Sequence, residues 1–306
     1  MNRVAVALVG ATASGKSSLA HTIASANDLA IVAVDAMTVY RGLDIGTAKP
    51  TAAQQREVPY YLLDLVEPDE EFTVARFQRE ARAASAAIWS EGRRAIYAGG
   101  TGLYQRAVID DYQIPGRYPD VRRSLEARWA AGEALHEELA MRDPLAASRM
   151  EPTNERRVIR ALEVTIGSGR PFSSFGPGLA QYGRIRIVQV GLRVPMDELD
   201  RRIEARFRQW MDEGLLDEVR GLAARPGGLG RTARQAVGYR ELLAHVEGGV
   251  ELEQCVRDAI THSRRLARRQ RSWFERDPRV EWFESPDEAG ERLERVLNGP
   301  DGFVRE

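Results

Sequence analysis

Residues 10–17 read Gly-Ala-Thr-Ala-Ser-Gly-Lys-Ser and constrain the fold more than any other stretch of the chain. They fit G-x4-GK[ST], the ATP-binding type of phosphate loop, a pattern that has physical meaning only between a strand and a helix. Both neighbours are predicted: Val4 to Val9 is a short apolar run, and Ser18 to Ala26 is a helix-forming segment. In such a loop Gly10, Ala11, Thr12, Ala13, Ser14 and Gly15 fold the backbone into a nest of N–H donors around a diphosphate. The helix N-terminus adds its positive end and Lys16 reaches the outer phosphate. Ser17 is the position that ligates Mg²⁺, the one cofactor expected.

Further apolar runs at Ala30–Val34, Leu62–Val66 and Arg94–Ala98, with a helix from Thr73 to Ser90 stopped by Gly92, predict parallel strands joined by crossover helices. From Ile114 to Gly183 the pattern is helical only, broken by Gly132, Asp143-Pro144, Glu151-Pro152 and a Gly/Pro/Ser stretch. A strand returns at Arg184–Leu192, and helices dominate from there to the C-terminus. The expected architecture is α/β, a phosphate-loop parallel sheet (residues 1–113 and 184–306) interrupted by an all-helical insertion (residues 114–183).

Composition removes several function classes. One cysteine, Cys255, rules out an internal disulfide framework and a thiolate metal cage, and favours a reducing, cytoplasmic setting. The four histidines are scattered, which argues against a protein-built zinc site. No apolar run approaches the roughly 20 residues of a membrane span. Net charge is −1, yet the 44 basic residues comprise 42 arginines and only two lysines, Lys16 and Lys49. The excess itself fits codon bias. Its clustering does not: Arg257 to Arg279 holds eight arginines against three acids, and Arg231, Arg234 and Arg240 have no acid among them. Helical spacing of Ile260, Ser263, Leu266, Ala267, Gln270, Trp273 and Phe274 leaves Arg264, Arg265, Arg268 and Arg269 largely off the buried face, as phosphate-binding candidates.

In an open parallel sheet the strand ends point into one crevice, so the residues after each strand carry the chemistry. The second strand ends in Val34-Asp35 and the fourth in Ala98-Gly-Gly-Thr101-Gly102. By position alone Asp35 is a Mg²⁺-organising carboxylate, a general base or a helix cap, and Thr101 is a turn hydroxyl or a ligand contact.

Several blocks lift this anonymity: Gly10 to Ser17; Val34-Asp35 through Tyr40-Arg41-Gly-Leu-Asp44-Ile-Gly46-Thr47-Ala-Lys49-Pro50; Leu62 to Phe77; and Gly99-Gly100-Thr101-Gly102-Leu-Tyr104. Others follow at Arg156-Arg157-Val-Ile-Arg160-Ala-Leu-Glu163, Arg202 to Phe207, Val237-Gly238-Tyr239-Arg240 and Arg268-Arg269-Gln270-Arg-Ser-Trp273-Phe274. Together they resemble the tRNA dimethylallyltransferase (tRNA isopentenyltransferase) family over nearly the whole chain. The resemblance implies transfer of a dimethylallyl group from dimethylallyl diphosphate to N6 of adenosine 37, beside the anticodon of tRNA, by a monomeric enzyme. It assigns Asp35 as the base that takes the N6 proton and Thr101 as a hydrogen-bonding group at the reacting centre. Lys16, Arg206 and Ser17 with Mg²⁺ would hold the diphosphate. It assigns Asp35, Ala36, Met37, Thr38, Arg122 or its neighbour Arg123, Arg157, Arg160, Arg234, Gly238, Tyr239 and Arg240 to tRNA, with Arg117 and Arg156 as further candidates. Because an adenine stacked in a loop cannot present N6 to a pocket, the base is expected to be flipped out. Lys49, inside one of the most specific blocks, is expected at the crevice or the RNA near it.

Four positions depart from the family pattern. Ala36 and Thr38 stand where Ser and Gln are common, and Tyr60-Tyr61 follows Pro59 where two histidines are common. Two rival enzymes share the first hundred residues: a small-molecule phosphate-loop kinase, which would use ATP, and an adenylate isopentenyltransferase, which would not need the arginine-rich helix. A non-catalytic RNA-binding module is the third alternative.

Overall fold

The computed structural model describes residues 5–176, 181–182 and 187–298. The chain forms two compact units, one from Met1–Asp110 with Arg184–Glu306 and one from Asp111–Gly183. The larger begins with β1 (Ala5–Gly10), α1 (Lys16–Ala26), β2 (Ala30–Ala33), α2 (Ala52–Glu57), β3 (Tyr60–Tyr61), α3 (Val74–Ser90), β4 (Ala95–Gly99) and α4 (Gly102–Ile109). The smaller holds α5 (Pro119–Ala130), α6 (Leu135–Arg142), α7 (Pro144–Ala147) and α8 (Glu155–Ser168). The larger then resumes with β5 (Val188–Leu192), α9 (Met196–Asp212), α10 (Leu215–Ala223), α11 (Tyr239–Gly248), α12 (Leu252–Glu275), β6 (Val280–Phe283) and α13 (Pro286–Asn298).

All six strands are parallel, in the order β3-β2-β4-β1-β5-β6. Successive strand residues face opposite sides, so Val6, Leu8, Ile31 and Ile96 pack with α1 and α13 while Ala7, Ala30, Val32 and Tyr97 pack with α3 and the C-terminal helices. A sheet covered on both faces explains why its strands are apolar runs without polar alternation. The chain moves outward from β1 to β2 and β3 and returns to insert β4 between β1 and β2. The carboxyl ends of β1, β2 and β4 therefore open into one crevice at the switch point.

Two sequence expectations need correction. The run Leu62–Val66 is a loop, and the edge strand is Tyr60–Tyr61 immediately before it. Leu62 and Asp64 have φ of 69° and 51°, so the chain turns there; Leu65 and Val66 still donate to Val39 O and Leu62 and Val66 still fill the core. The second is β6, absent from the sequence expectation: its four residues pair with β5 between two helices. Of the expected strand Arg184–Leu192, residues 184–186 lie outside the described residues. Tyr60 also has a local role: its hydroxyl meets His21 Nδ1 at 3.0 Å and its ring stacks on the imidazole, tying the edge strand to α1.

The helical unit has its own core, including Leu125, Leu135, Leu139, Ile159 and Leu162. Two buried carboxylates organise it. Asp143 caps α7 through Ala146 N and accepts from Ser173 N and Oγ. Glu163, 1% exposed, accepts from Tyr118 N at 2.9 Å and from both Arg160 and Arg122.

The turn after β4 is the tightest contact in the sheet. A Cβ built on Gly99 would lie 2.0 Å from Val34 O, so only glycine lets β4 close against the end of β2. Gly99→Ala should therefore lower stability by about 1–3 kcal/mol, read as a shifted denaturant midpoint with an unchanged slope.

Candidate active site

The phosphate loop folds as its sequence demands. Gly15, at φ 91°, turns the chain into α1 with its N–H groups uncapped by any side chain, the arrangement that binds anions. Ser14 is buried and its Oγ has no partner. Lys16 Nζ donates to Ala11 O at 3.1 Å. From α9, Arg206 reaches across to donate to Thr12 Oγ1 at 2.6 Å, its guanidinium 4.6 Å over the Trp210 ring and its Nε buried without a partner.

Among the described residues neither cation is bonded to a carboxylate. Desolvation, and then the nearby Arg206 charge, lower Lys16 to about 8, with Asp35 partly opposing them; desolvation also lowers Arg206 to about 10. Two cations taken out of water without counter-ions are unfavourable unless an anion completes the site.

Asp35 follows β2 and faces the same crevice. Burial raises its pKa, against the opposing hydrogen bond from Met37 N at 2.8 Å and the Lys16 charge. Thr101 Oγ1 accepts from Ala36 N at 3.1 Å, so the β4 turn fixes the backbone beside Asp35 and leaves the Thr101 hydroxyl hydrogen available. The site thus places a carboxylate whose pKa is raised by burial beside an array of N–H groups and cations suited to an anion.

A cofactor fit can be read from these groups. Among the described residues no cluster of three or more His, Cys, Asp or Glu could hold a metal alone. Ser17 is exposed at the start of α1, which suits Mg²⁺ held jointly by a hydroxyl and substrate phosphates, the usual mode for that ion.

The sequence reading missed how α12 seals the crevice. Gln270 Oε1 accepts from Thr12 N at 2.8 Å, and Trp273 lies where a Cβ on Gly102 would be, 2.0 Å from its Cδ1. The only sequence signal was the Gln-x-x-Trp spacing on the inward face of that helix.

Other candidates fall into separate groups. Thr38 is 7% exposed with an unpartnered hydroxyl, and Ala36 acts through its backbone. Tyr239 is fully buried: its hydroxyl donates to Glu218 and accepts from Gly46 N at 3.1 Å, while Glu218 Oε2 takes the Asp44 and Ile45 N–H groups. The Tyr239 side chain is a buried bolt for the 44–46 loop; Gly238 is likewise buried, its N–H donating to Glu241.

The arginines divide. Arg122 and Arg160 pair with Glu163, Arg123 with Asp120, Arg234 with Glu247, and Arg240 with Glu241 and His262. Arg264 and Arg268 are bound to Glu204 and Asp200 of α9, so much of the expected basic footprint is neutralised internally. Arg157, Arg231, Arg265, Arg269 and Arg276 are exposed and have no ion-pair partner among the described residues.

Lys49 corrects another expectation. Its side chain is 3% exposed and Nζ donates to Tyr40 O at 2.8 Å, Asp64 Oδ1 at 2.6 Å and Asp44 Oδ1. All three ammonium protons meet protein oxygens, so it clamps residues 40–64 from within instead of lining the crevice.

Fold and site together define a phosphate-loop α/β protein in which two cations, Lys16 and Arg206, share a crevice with a half-buried carboxylate, Asp35. A family model described as IPP transferase matches residues 38–277, and one described as isopentenyl transferase matches residues 3–64. Curated tRNA dimethylallyltransferases of Bifidobacterium longum and Kineococcus radiotolerans are 44% and 45% identical, over 93% and 92% of this chain and 88% and 91% of theirs. The full-length tRNA isopentenylpyrophosphate transferase of Bacillus halodurans has a TM-score of 0.70 at 36% identity, covering 97% of this chain and 96% of that one. A eukaryotic dimethylallyltransferase acting on tRNA shares the fold, with a TM-score of 0.81 at 22% identity over 100% of this chain and 82% of that one. The chain belongs to the IPP transferase family and is a transferase.

Two outcomes follow from the site's electrostatics. Lys16 is charged below about 8 in the free protein, so affinity for inorganic diphosphate should fall as pH rises through 8. Calorimetric titration should show that added slope in the wild type and not in Lys16→Met. Lys49→Met should leave the Asp44 and Asp64 carboxylates facing each other across a vacated pocket. Because both are part-exposed, the expected loss in denaturant unfolding is about 1–3 kcal/mol.

Proposed function

We propose that the protein transfers the dimethylallyl group of dimethylallyl diphosphate to N6 of adenosine 37 in tRNA, releasing diphosphate. One observation carries this reading: Lys16 and Arg206 are desolvated at a phosphate loop with no carboxylate bonded to either among the described residues, and a half-buried carboxylate, Asp35, shares their crevice. The reaction asks for that pair of features. N6 forms a bond to the allylic carbon as that carbon's bond to the diphosphate oxygen breaks, and the leaving group departs with the electron pair. Lys16, Arg206 and the loop N–H groups stabilise the charge that develops on it. The N6 proton passes to Asp35, whose raised pKa makes it a better acceptor than an exposed aspartate.

Mg²⁺ bound by Ser17 and the donor's phosphate oxygens would add further neutralisation of the leaving group. Thr101 holds the backbone beside Asp35 and can donate its remaining hydrogen to the acceptor. The phosphate loop, ATP-binding in pattern, is here read as a grip on the prenyl donor. Exposed arginines without carboxylate partners, Arg157 in the helical unit and Arg265 and Arg269 on α12, are ready to meet RNA phosphates. Arg122, Arg160, Arg234 and Arg240 reach RNA only by sharing or exchanging their present carboxylates. The enzyme is read as a cytoplasmic monomer, a setting in which the free, buried Cys255 stays reduced.

The test incubates the protein with Mg²⁺, labelled dimethylallyl diphosphate and unmodified tRNA carrying adenines after the anticodon, with nucleoside mass analysis. Parallel reactions replace tRNA by AMP, or the donor by labelled ATP. Prenylated adenosine in tRNA alone is expected; transfer to AMP with equal efficiency, or phosphate transfer from ATP, overturns the reading. Asp35→Asn should keep tRNA binding and lose about 10²–10⁴ in turnover.

A further inference from the structure

The Arg268-Arg-Gln270-Arg-Ser-Trp273 segment contains one side chain that the mechanism above leaves unused. Gln270 stands on α12 and is half-buried over the crevice. Its Oε1 accepts the Thr12 N–H of the phosphate loop at 2.8 Å. An N–H must meet oxygen, so this bond fixes which end of the carboxamide is which and turns Nε2 to the other side. There a Cβ on Gly100 would lie 2.5 Å from Nε2 and 3.1 Å from Cδ. Gly100 directly precedes Thr101, the residue that holds the backbone beside Asp35. Among the described residues no protein acceptor is bonded to Nε2.

The same Thr12 carries a second restraint, since its Oγ1 accepts from Arg206. Arg206 and Gln270 therefore converge on one loop residue from two helices, α9 and α12. Arg206 supplies charge to the cradle. Gln270 holds a neutral, pre-oriented NH₂ between the cradle and the turn that supports the base. That interval is where the breaking bond between carbon and oxygen must lie if the diphosphate sits in the loop and the amine beside Asp35.

We propose that Gln270 Nε2 is a catalytic hydrogen-bond donor to the leaving diphosphate, on the oxygen that takes the electron pair from the allylic carbon. The inference rests on the prenyl-transfer reading. The residue gains no proton and loses none: it donates a hydrogen bond that strengthens as negative charge grows on that oxygen. A donor fixed in advance by Thr12 needs no reorganisation when the charge develops. The absence of a side chain at Gly100 leaves the space that Nε2 occupies.

Gln270→Glu separates this role from mere support of the loop. A carboxylate still accepts the Thr12 N–H, so a supporting role leaves only the repulsion of the diphosphate by one added charge, which fades at high salt, whereas a lost donor leaves a deficit that salt does not remove. A donor role predicts a fall in kcat of about 10²–10³ and weaker binding of inorganic diphosphate, with the Kd for tRNA unchanged. Wild-type kcat together with wild-type diphosphate affinity in Gln270→Glu overturns the proposal. If the charge unseats α12, seen as a lowered Tm, Gln270→Met, of similar length and without the amide, replaces it: unchanged diphosphate affinity overturns the proposal, and a loss in kcat well beyond the loss in diphosphate affinity, with intact tRNA binding, supports it. Diphosphate titration needs no turnover, so a wild type that transfers no prenyl group would refute the function while the titration still judges Gln270 as a diphosphate donor.

Discussion

Two positive charges, Lys16 and Arg206, are held out of water near one another, and much of the larger unit is arranged around that unfavourable fact. Arg206 depresses Lys16, and the nearest opposing charge, Asp35, is itself raised by burial. A folded chain tolerates such a site only if the surrounding framework is rigid enough to resist collapse onto it. The framework is visible: α9 delivers Arg206, the Trp210 ring supports its guanidinium, and Thr12 receives it. An anion placed between the two cations would relieve both desolvation and repulsion at once.

Among the described residues Lys16 and Arg206 are bonded to no carboxylate, whereas on the outer surface many arginines are paired with acids. Asp200 and Glu204 on α9 take up Arg268 and Arg264 on α12, and Glu218 gathers three donors around the 44–46 loop. These contacts tie together the two helices that also reach Thr12. Arginine suits this use because its planar fork can bridge two acceptors at once. The near-absence of lysine leaves the compact ammonium at two enclosed positions: one in the phosphate loop, and one at Lys49, which holds three oxygens where a guanidinium has no room.

What could be read in the sequence was what local chemistry dictates. Gly10 to Ser17 announces its own conformation, and the positions of Asp35 and Thr101 after apolar strands place both in the crevice once the sheet is parallel. The resemblance blocks added the substrate class and Arg206. Less legible were features set by long-range pairing. The two-residue β3 is a strand only because β2 lies beside it, and the apolar run after it is turned aside by positive φ at Leu62 and Asp64. Tyr239 and Lys49 sit in motif-rich blocks, which suggested ligand contact, yet both are buried bolts. The arginines of 257–279 formed a cluster in one dimension; their partners on α9 are roughly sixty residues earlier, beyond what charge patterning along a chain can reveal.

The hydrogen bond between Thr12 and Gln270 spans 258 residues, and this separation has a consequence in time. At synthesis rates of 5–20 residues per second, the phosphate loop leaves the ribosome about 13–50 s before the helix that braces it. During that interval the loop, the first helix and the neighbouring strands can associate, but the roof of the crevice does not yet exist. A nascent or C-terminally truncated chain thus carries a recognisable phosphate loop that lacks its final shape. Segments 258 residues apart complete one another, and the crevice takes its full shape only once α12 has been made.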